Sequence, residues 1–374
     1  MAKIYDQTDC NFDTGKITRP FITELIYSIN QVKAITNPYV GNKRKILFKI
    51  FQTLNNYEFD SMLDLFSGSA CVSVVARRMG KKVVANDLLA SSWVYAKKFL
   101  ECDEKLSEQE KKFLIYNDNN SSSDFVSKNF GERFTKKESK FLDNYYANMD
   151  TLFRVSNAAN FPNLCSNKAI TALVSIQLYI LDKCFVGGRL NRGQVLAKLE
   201  HRIQHKRNDG SEMCFQKMEW SHIDQDNEHQ CFAYRMDAIE LLKSDIIIEF
   251  QPELVYIDPP YGGSQSDYGN MYSFFESYLT QKMPDEWDHI SKDSLKKFAN
   301  KKNYEANFVE LMKGTQFSPR VAISYNDSSW ADIDKLKEII YGFRKKVEVH
   351  SIDYEYKYRD KKNKSGTEYL IVAT

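Results

Sequence analysis

Short apolar runs, each followed by a helical period, lie on both sides of a long stretch that lacks them. No other feature limits the fold of this chain as strongly. Residues 61–66 (SMLDLF) read as a buried strand, 70–79 as a helix, 82–85 (KVVA) as a second strand and 90–101 as a second helix. Such alternation is the signature of βαβ units around a parallel sheet. The rhythm stops near residue 102 and returns at 231. There, 232–236 reads as a short strand, 238–243 as a helix, 253–257 (ELVYI) as a buried strand, 320–324 as a strand and 332–341 as a helix. Residues 346–356 and 369–373 read as a terminal antiparallel pair, with 360–366 (DKKNKSG) as their turn. The expected fold is α/β, with about seven strands, mostly parallel, and a C-terminal antiparallel pair.

Between the two halves, charged helical segments alternate with polar loops such as 117–123 (NDNNSSS), around one strongly apolar helix at 168–185. This predicts a mostly helical inserted subdomain at 102–230. It follows a polar lead-in (1–35) and a first α/β part (36–101), and it precedes a second α/β part (231–374). With 24 Phe, 22 Tyr and 43% hydrophobic residues, the 374-residue chain has ample material for a core, which excludes wholesale disorder. A net charge of +2 excludes a uniformly basic nucleic-acid coat, though not local basic patches. The longest apolar stretch, 170–188, is broken by Gln177, Asp182 and Lys183, so no membrane-spanning helix is expected. Seven scattered cysteines without a Cys-x-x-Cys pair, and a start without an apolar signal core, fit a reduced, cytoplasmic protein with no membrane partner.

The sharpest local signal is Asp258-Pro259-Pro260-Tyr261, directly after the strand at 253–257. Open α/β sheets bind ligands beyond the carboxyl ends of their strands. Two prolines fix φ and hold the carboxylate and the following carbonyls stiffly, and Tyr261 offers a flat face to a planar substrate. A second signal, Asp64-Leu65-Phe66-Ser67-Gly68-Ser69-Ala70, closes the first strand and opens a helix, where small residues and free N–H groups admit a ligand. It lacks the Gly-x-Gly-x-x-Gly spacing of a pyrophosphate cradle. Asp87 follows the next strand, a placement that suits a ribose diol. Together these suggest a nucleoside-bearing cofactor without pyrophosphate. A third segment, 37–45, sets Tyr39, Gly41 and the basic cluster Lys43-Arg44-Lys45 before an amphipathic helix, which suits a carboxylate or phosphate.

In this order, Tyr39-x-Gly41-x-Lys43, Asp64-x-Phe66-Ser67-Gly68-Ser69, Asn86-Asp87 and Asp258-Pro-Pro-Tyr261 resemble the alpha-class DNA adenine-N6 methyltransferases. The likeness covers about 36–101 and 231–325, and the insertion matches by position only. The family more often has Trp and Gly where Tyr39 and Val40 stand, and a glycine where Ala70 stands. The resemblance implies a Rossmann-like class I methyltransferase sheet, S-adenosylmethionine as methyl donor, no metal, and double-stranded DNA as partner. It also implies a place in bacterial or phage restriction-modification and admits a cognate restriction endonuclease. By the same likeness Phe66, Ser67, Gly68 and Ser69 line the methionine side and Asp87 holds the ribose. Met236 and Asp237 sit by the adenine, Lys43 approaches the methionine carboxylate, and Asp64, Tyr39 and Gly41 complete the cofactor set, which Asp258 borders. Asp258 and the Pro259 carbonyl would accept hydrogen bonds from the target amine of a flipped-out base, with Pro260 stiffening the turn and Tyr261 stacking. An N4-cytosine DNA methyltransferase uses the same kind of pocket. An rRNA adenine methyltransferase more often has Asn at the first tetrapeptide position. A non-catalytic DNA-binding module would have no need of Asp258, Tyr261, Asp87 and Lys43.

Residues 189–207 hold six Lys/Arg against one Glu, a local excess in a nearly neutral chain. Arg and Asn pair with base edges and Lys/Arg with phosphates. Arg189, Asn191 and Arg192 are the leading DNA-contact candidates, followed by Lys198 and Arg202. Tyr325, at another sheet edge, is a candidate neighbour of the flipped base or a structural tyrosine. His201 and His205 share a helical face, but no third ligand stands nearby in sequence.

Overall fold

Side chains alternate between the two faces of a strand, so a central sheet divides its residues between two cores. The computed structural model describes residues 19–35, 43–118, 123–155, 166–186, 189–190, 230–260, 272–287, 290–298, 301–326, 332–357 and 363–374. Seven strands form one sheet: β1 (Ser61–Asp64), β2 (Lys82–Asn86), β3 (Cys231–Tyr234), β4 (Leu254–Ile257), β5 (Arg320–Asn326), β6 (Val347–Lys357) and β7 (Asn363–Ala373). Their order is β3-β2-β1-β4-β5-β7-β6. The first five pair in parallel, and β7 runs antiparallel to both of its neighbours. This is the expected α/β class I methyltransferase architecture. The expected 360–366 turn is shorter than the sequence suggested, because pairing runs on to Lys357↔Asn363. Backbone pairing in a two-stranded ribbon needs no apolar side chains, so the polar composition concealed it.

Eight helices precede β3 among the described residues: α1 (Arg19–Ile35), α2 (Leu47–Leu54), α3 (Cys71–Arg78), α4 (Ala90–Leu100), α5 (Glu108–Tyr116), α6 (Phe125–Asn129), α7 (Lys136–Phe153) and α8 (Asn167–Cys184). Six follow it: α9 (Ala238–Leu242), α10 (Asp245–Phe250), α11 (Ser273–Thr280), α12 (Lys292–Lys296), α13 (Lys301–Gly314) and α14 (Ile333–Tyr341). Met62, Ala85, Leu254, Tyr256, Ala322 and Leu370 face one core, shared with α1 to α8 and α11. Their odd-numbered or offset neighbours Leu63, Val84, Val255, Ile257, Ile323 and Ile371 face the other, with α9, α10, α13 and α14.

The helices between 102 and 186 are not a detached layer. α5 and α7 start at capping boxes, Ser107 with Glu110 and Thr135 with Glu138. α8 packs directly on the sheet-covering helix α4, where the Gln177 amide donates to the Ser91 carbonyl at 3.0 Å. The Tyr278 hydroxyl of α11 donates to the Leu142 carbonyl of α7 at 3.0 Å. Arg189–Leu190 pairs with Phe185–Val186 as a short hairpin at the end of α8. No helix among the described residues is long and apolar enough to cross a membrane.

Candidate active site

Parallel strands end together, so their carboxyl termini bring residues far apart in sequence to one edge. Asp64 ends β1, Asn86 ends β2 with Asp87 directly after it, Tyr234 leads to Met236 and Asp237 after β3, and Ile257 leads to Asp258 after β4. Ser324 and Asn326 close β5.

Asn86 ties three of these turns together. Its amide nitrogen donates to the carbonyls of Leu65 (3.2 Å) and Met236 (3.1 Å), and its amide oxygen accepts from the Met236 N–H at 3.1 Å. The Ser67 N–H donates to the Asn86 carbonyl at 2.8 Å. Asp87 binds the loop from the other side, accepting from the Gly68 N–H at 2.8 Å and the Leu89 N–H at 2.9 Å. Partial burial pushes its carboxyl up to about 6, against the opposing effect of those two N–H groups. The Ser92 side chain also donates to it, and three accepted bonds still leave a carboxylate, with about four acceptor sites, some further capacity. Gly68 and Ala70 both take left-handed backbone, with φ of 51° and 55°. Glycine adopts this freely and alanine does not, so the substitution at 70 keeps the loop shape at some strain.

Asp64 is buried and accepts from the Ser73 hydroxyl at 2.6 Å through Oδ2. Among the described residues its Oδ1 and the buried Ser67 hydroxyl have no hydrogen-bond partner. Burial is the main reason the Asp64 carboxyl rises to about 7, with Ser73 opposing and Asp258 and Asp87 adding to the rise. The folded-state value exceeds the unfolded one of about 4, so the folded state holds the proton more tightly. This group's contribution therefore makes stability fall as pH rises from about 4 to about 7. Asp64→Asn, neutral throughout, is expected to gain stability relative to the wild type across that window. Urea denaturation at a series of pH values checks this, and parallel curves for the two proteins would contradict it.

Phe66 packs edge-to-face on Phe298, with centroids 5.3 Å apart, and Asp237 pairs with Lys297 at 2.9 Å while capping α9 through the Ile239 N–H. Phe66, Met236 and Asp237 are all partly exposed at this edge. Residues 258–260 leave β4 as non-repetitive chain, with Pro259 buried and the Asp258 side chain 18% exposed. Lys43, in a 3-10 turn (Lys43–Lys45) before α2, is 5% exposed. Its ammonium lies 2.8 Å from Asp258 Oδ1 and 3.2 Å from Glu368 Oε1. The cation expected to meet a cofactor carboxylate thus faces two protein carboxylates. Burial alone would lower the Lys43 pKa, but Asp258 and Glu368, then Tyr256, hold it well above the usual lysine value.

Sequence reasoning missed Glu368, Ser324 and Ser73. Glu368 fell outside the strand expected at 369–373, yet it lies within β7 opposite Asn326. Also missed was Glu276, the fully buried carboxylate of α11 that accepts from the N–H groups of Ala90 (3.1 Å) and Ser91 (2.7 Å) at the start of α4. Tyr325 is 1% exposed within the second core, so its ring has no face to give a base in this conformation. Its odd register places it on the sheet face opposite Ser324. Arg189 lies in the short hairpin, away from the carboxyl edge in sequence. Tyr39, Gly41, Tyr261, Asn191, Arg192, Lys198 and Arg202 lie outside the described residues. Among the described residues no three His, Cys, Asp or Glu side chains form a metal-binding group.

Known proteins bear on this arrangement. Residues 39–172 match the family model of the D12 class N6 adenine-specific DNA methyltransferases. Over 348 residues the chain is 25% identical to a Type II methyltransferase of Haemophilus parahaemolyticus, M2.HphI, an alignment covering 90% of this chain and 96% of that protein. The matched segment holds the Lys43 turn, the 64–70 loop and Asp87, and the longer alignment extends the likeness over most of the chain. Over residues 39–172 the chain is thus similar to the D12 class, and the two likenesses together support an N6 adenine-specific DNA methyltransferase.

Proposed function

We propose that this enzyme transfers a methyl group from S-adenosylmethionine to N6 of an adenine turned out of double-stranded DNA, at a specific site, in the cytoplasm. The relative is a Type II methyltransferase, which supports a place in a restriction-modification system with a cognate endonuclease. The observation that carries the reading is the position of Asp258-Pro259-Pro260 at the end of β4, beside the 66–69 loop at the end of β1.

The residues at the edge suit the cofactor. Asp64 Oδ1 and the Ser67 hydroxyl are buried without hydrogen-bond partners among the described residues, which favours a ligand carrying an ammonium or other donors there. Gly68 admits close backbone approach, and Asp87 has acceptor capacity for a ribose diol. Phe66, Met236 and Asp237 would border the adenine. When bound, S-adenosylmethionine supplies an electrophilic methyl group on a sulfonium.

The chain's own part is positioning. The lone pair of the target amine is delocalised into the adenine ring, which makes it a poor nucleophile. Asp258 and the Pro259 carbonyl accept from its two N–H groups and favour a pyramidal nitrogen aimed at the methyl group. The prolines keep those acceptors stiff, and Tyr261 stacks on the base. Most of the catalysis then comes from orientation and fixed electrostatics. Residues 102–230 supply target recognition, through Arg189, Asn191, Arg192, Lys198 and Arg202. Incubation with duplex DNA and methyl-labelled S-adenosylmethionine, followed by digestion to nucleosides, is expected to place the label in N6-methyldeoxyadenosine. Label in N4-methyldeoxycytidine, in RNA alone, or in no nucleoside would overturn the reading.

A further inference from the structure

Lysine carries three rotatable donors on a flexible stem, so one acceptor alone does not fix its ammonium. Lys43 is gripped from two strands. Asp258 follows β4, and Glu368 comes from β7, the reversed strand. Glu368 is 4% exposed and is itself oriented by β5, where the Ser324 hydroxyl donates to Oε1 at 2.6 Å and the Asn326 amide to Oε2 at 3.4 Å. Sheet parity explains the meeting. Tyr256, Ala322 and Leu370 share one face, and Asp258, Ser324 and Glu368 lie two residues from them. The register sets Glu368 opposite Asn326, at the same edge as Asp258.

We propose that Glu368 is a positioning residue for methyl transfer: it holds the Lys43 ammonium against Asp258 Oδ1 and thereby aims the catalytic carboxylate. The proposal rests on the methyl-transfer reading above. Position is relayed from β5 to Glu368, from Glu368 to Lys43 and from Lys43 to Asp258. Other charged or titratable groups also bear on this cluster. Tyr256 of β4 acts on Lys43, Lys43 acts on the Cys71 thiol of α3, and Asp64 of β1 interacts with Asp258. Glu368 and Asp258 both touch the ammonium.

Glu368→Gln keeps the shape and an acceptor for Ser324 while removing the charge. Its kcat is expected to fall on the order of 10- to 100-fold, with KM for S-adenosylmethionine within about twofold of the wild type. The alkaline limb of its kcat profile should move down by about one pH unit or more, since Lys43 loses one of the charges that retain its proton. The Lys43 Cε resonance in 13C-lysine-labelled protein, assigned by its loss in Lys43→Arg, should titrate lower by a similar amount. Ser324→Ala, which frees Glu368 from its anchor without removing charge, should lower kcat in the same direction and leave the titration nearly in place. An unmoved titration in Glu368→Gln, or a moved titration with wild-type kcat, overturns the proposal. A lowered melting temperature with unchanged kcat and pH profile also overturns it, as the mark of a merely structural acid. If the wild-type chain methylates no nucleic acid, the functional reading fails, and the titration alone then decides whether Glu368 keeps Lys43 charged.

Discussion

Asp258→Ala is expected to yield no N6-methyldeoxyadenosine above background while S-adenosylmethionine still binds. Removing one preorganised polar group from a reacting centre costs about 10²- to 10³-fold in kcat. Asp258 should reach or exceed that range, because in the proposed mechanism it accepts from the target amine, and its carboxylate also grips Lys43. The groups proposed to face the cofactor depend on other contacts. Gly68 and Leu89 hold Asp87, and Asn86 holds the turns after β1 and β3. Equilibrium binding should therefore change little while single-turnover methylation collapses. Turnover within about tenfold of the wild type would remove Asp258 from the reaction. The variant should also remain folded, since Glu368 still neutralises the buried ammonium.

Parts of this site were legible in sequence and parts were not, for reasons that differ residue by residue. Asp258-Pro259-Pro260 and the 64–70 loop could be read because each is a contiguous pattern at the end of a short apolar run, where a parallel sheet must present it. Glu368 could not, because it reaches the edge on a reversed strand whose polar ribbon looks like a turn in composition. Tyr325 shows the limit of reasoning by strand ends alone. It does close a strand, but pairing with Tyr369 puts it on the face of Ile323 and Ile371, inside the second core. Parity along 320–326 held that information, since Ser324 and Tyr325 must point to opposite faces. The helices of 102–186 were correctly read as helical. Their union with the sheet's own core was not read, although a helix as apolar as α8 signals burial rather than a peripheral position.

Lys43→Met should be more damaging to stability than Asp258→Ala, although Lys43 itself lies in none of the strands. The methionine preserves most of the buried volume, so the effect isolates the charge. Removing one partner from a buried ion pair costs about 3–5 kcal/mol, because the remaining charge is left without compensation. Here two carboxylates, Asp258 and Glu368, are left facing the same space, each having lain within 3.2 Å of the lost ammonium. Like charges and burial both raise carboxyl pKa values, so in the variant the folded state binds protons more tightly than the unfolded chain. Stability relative to the wild type then falls as pH rises above the unfolded carboxyl value of about 4 and through the raised folded values. The defect should be deepest at alkaline pH and shrink in mild acid, where one proton shared by the pair replaces the missing cation. Urea midpoints at pH 5 and pH 8 against the wild type at each pH decide it. A loss equal at both would mean that Lys43 contributes packing, and that its charge is not what holds the catalytic edge together.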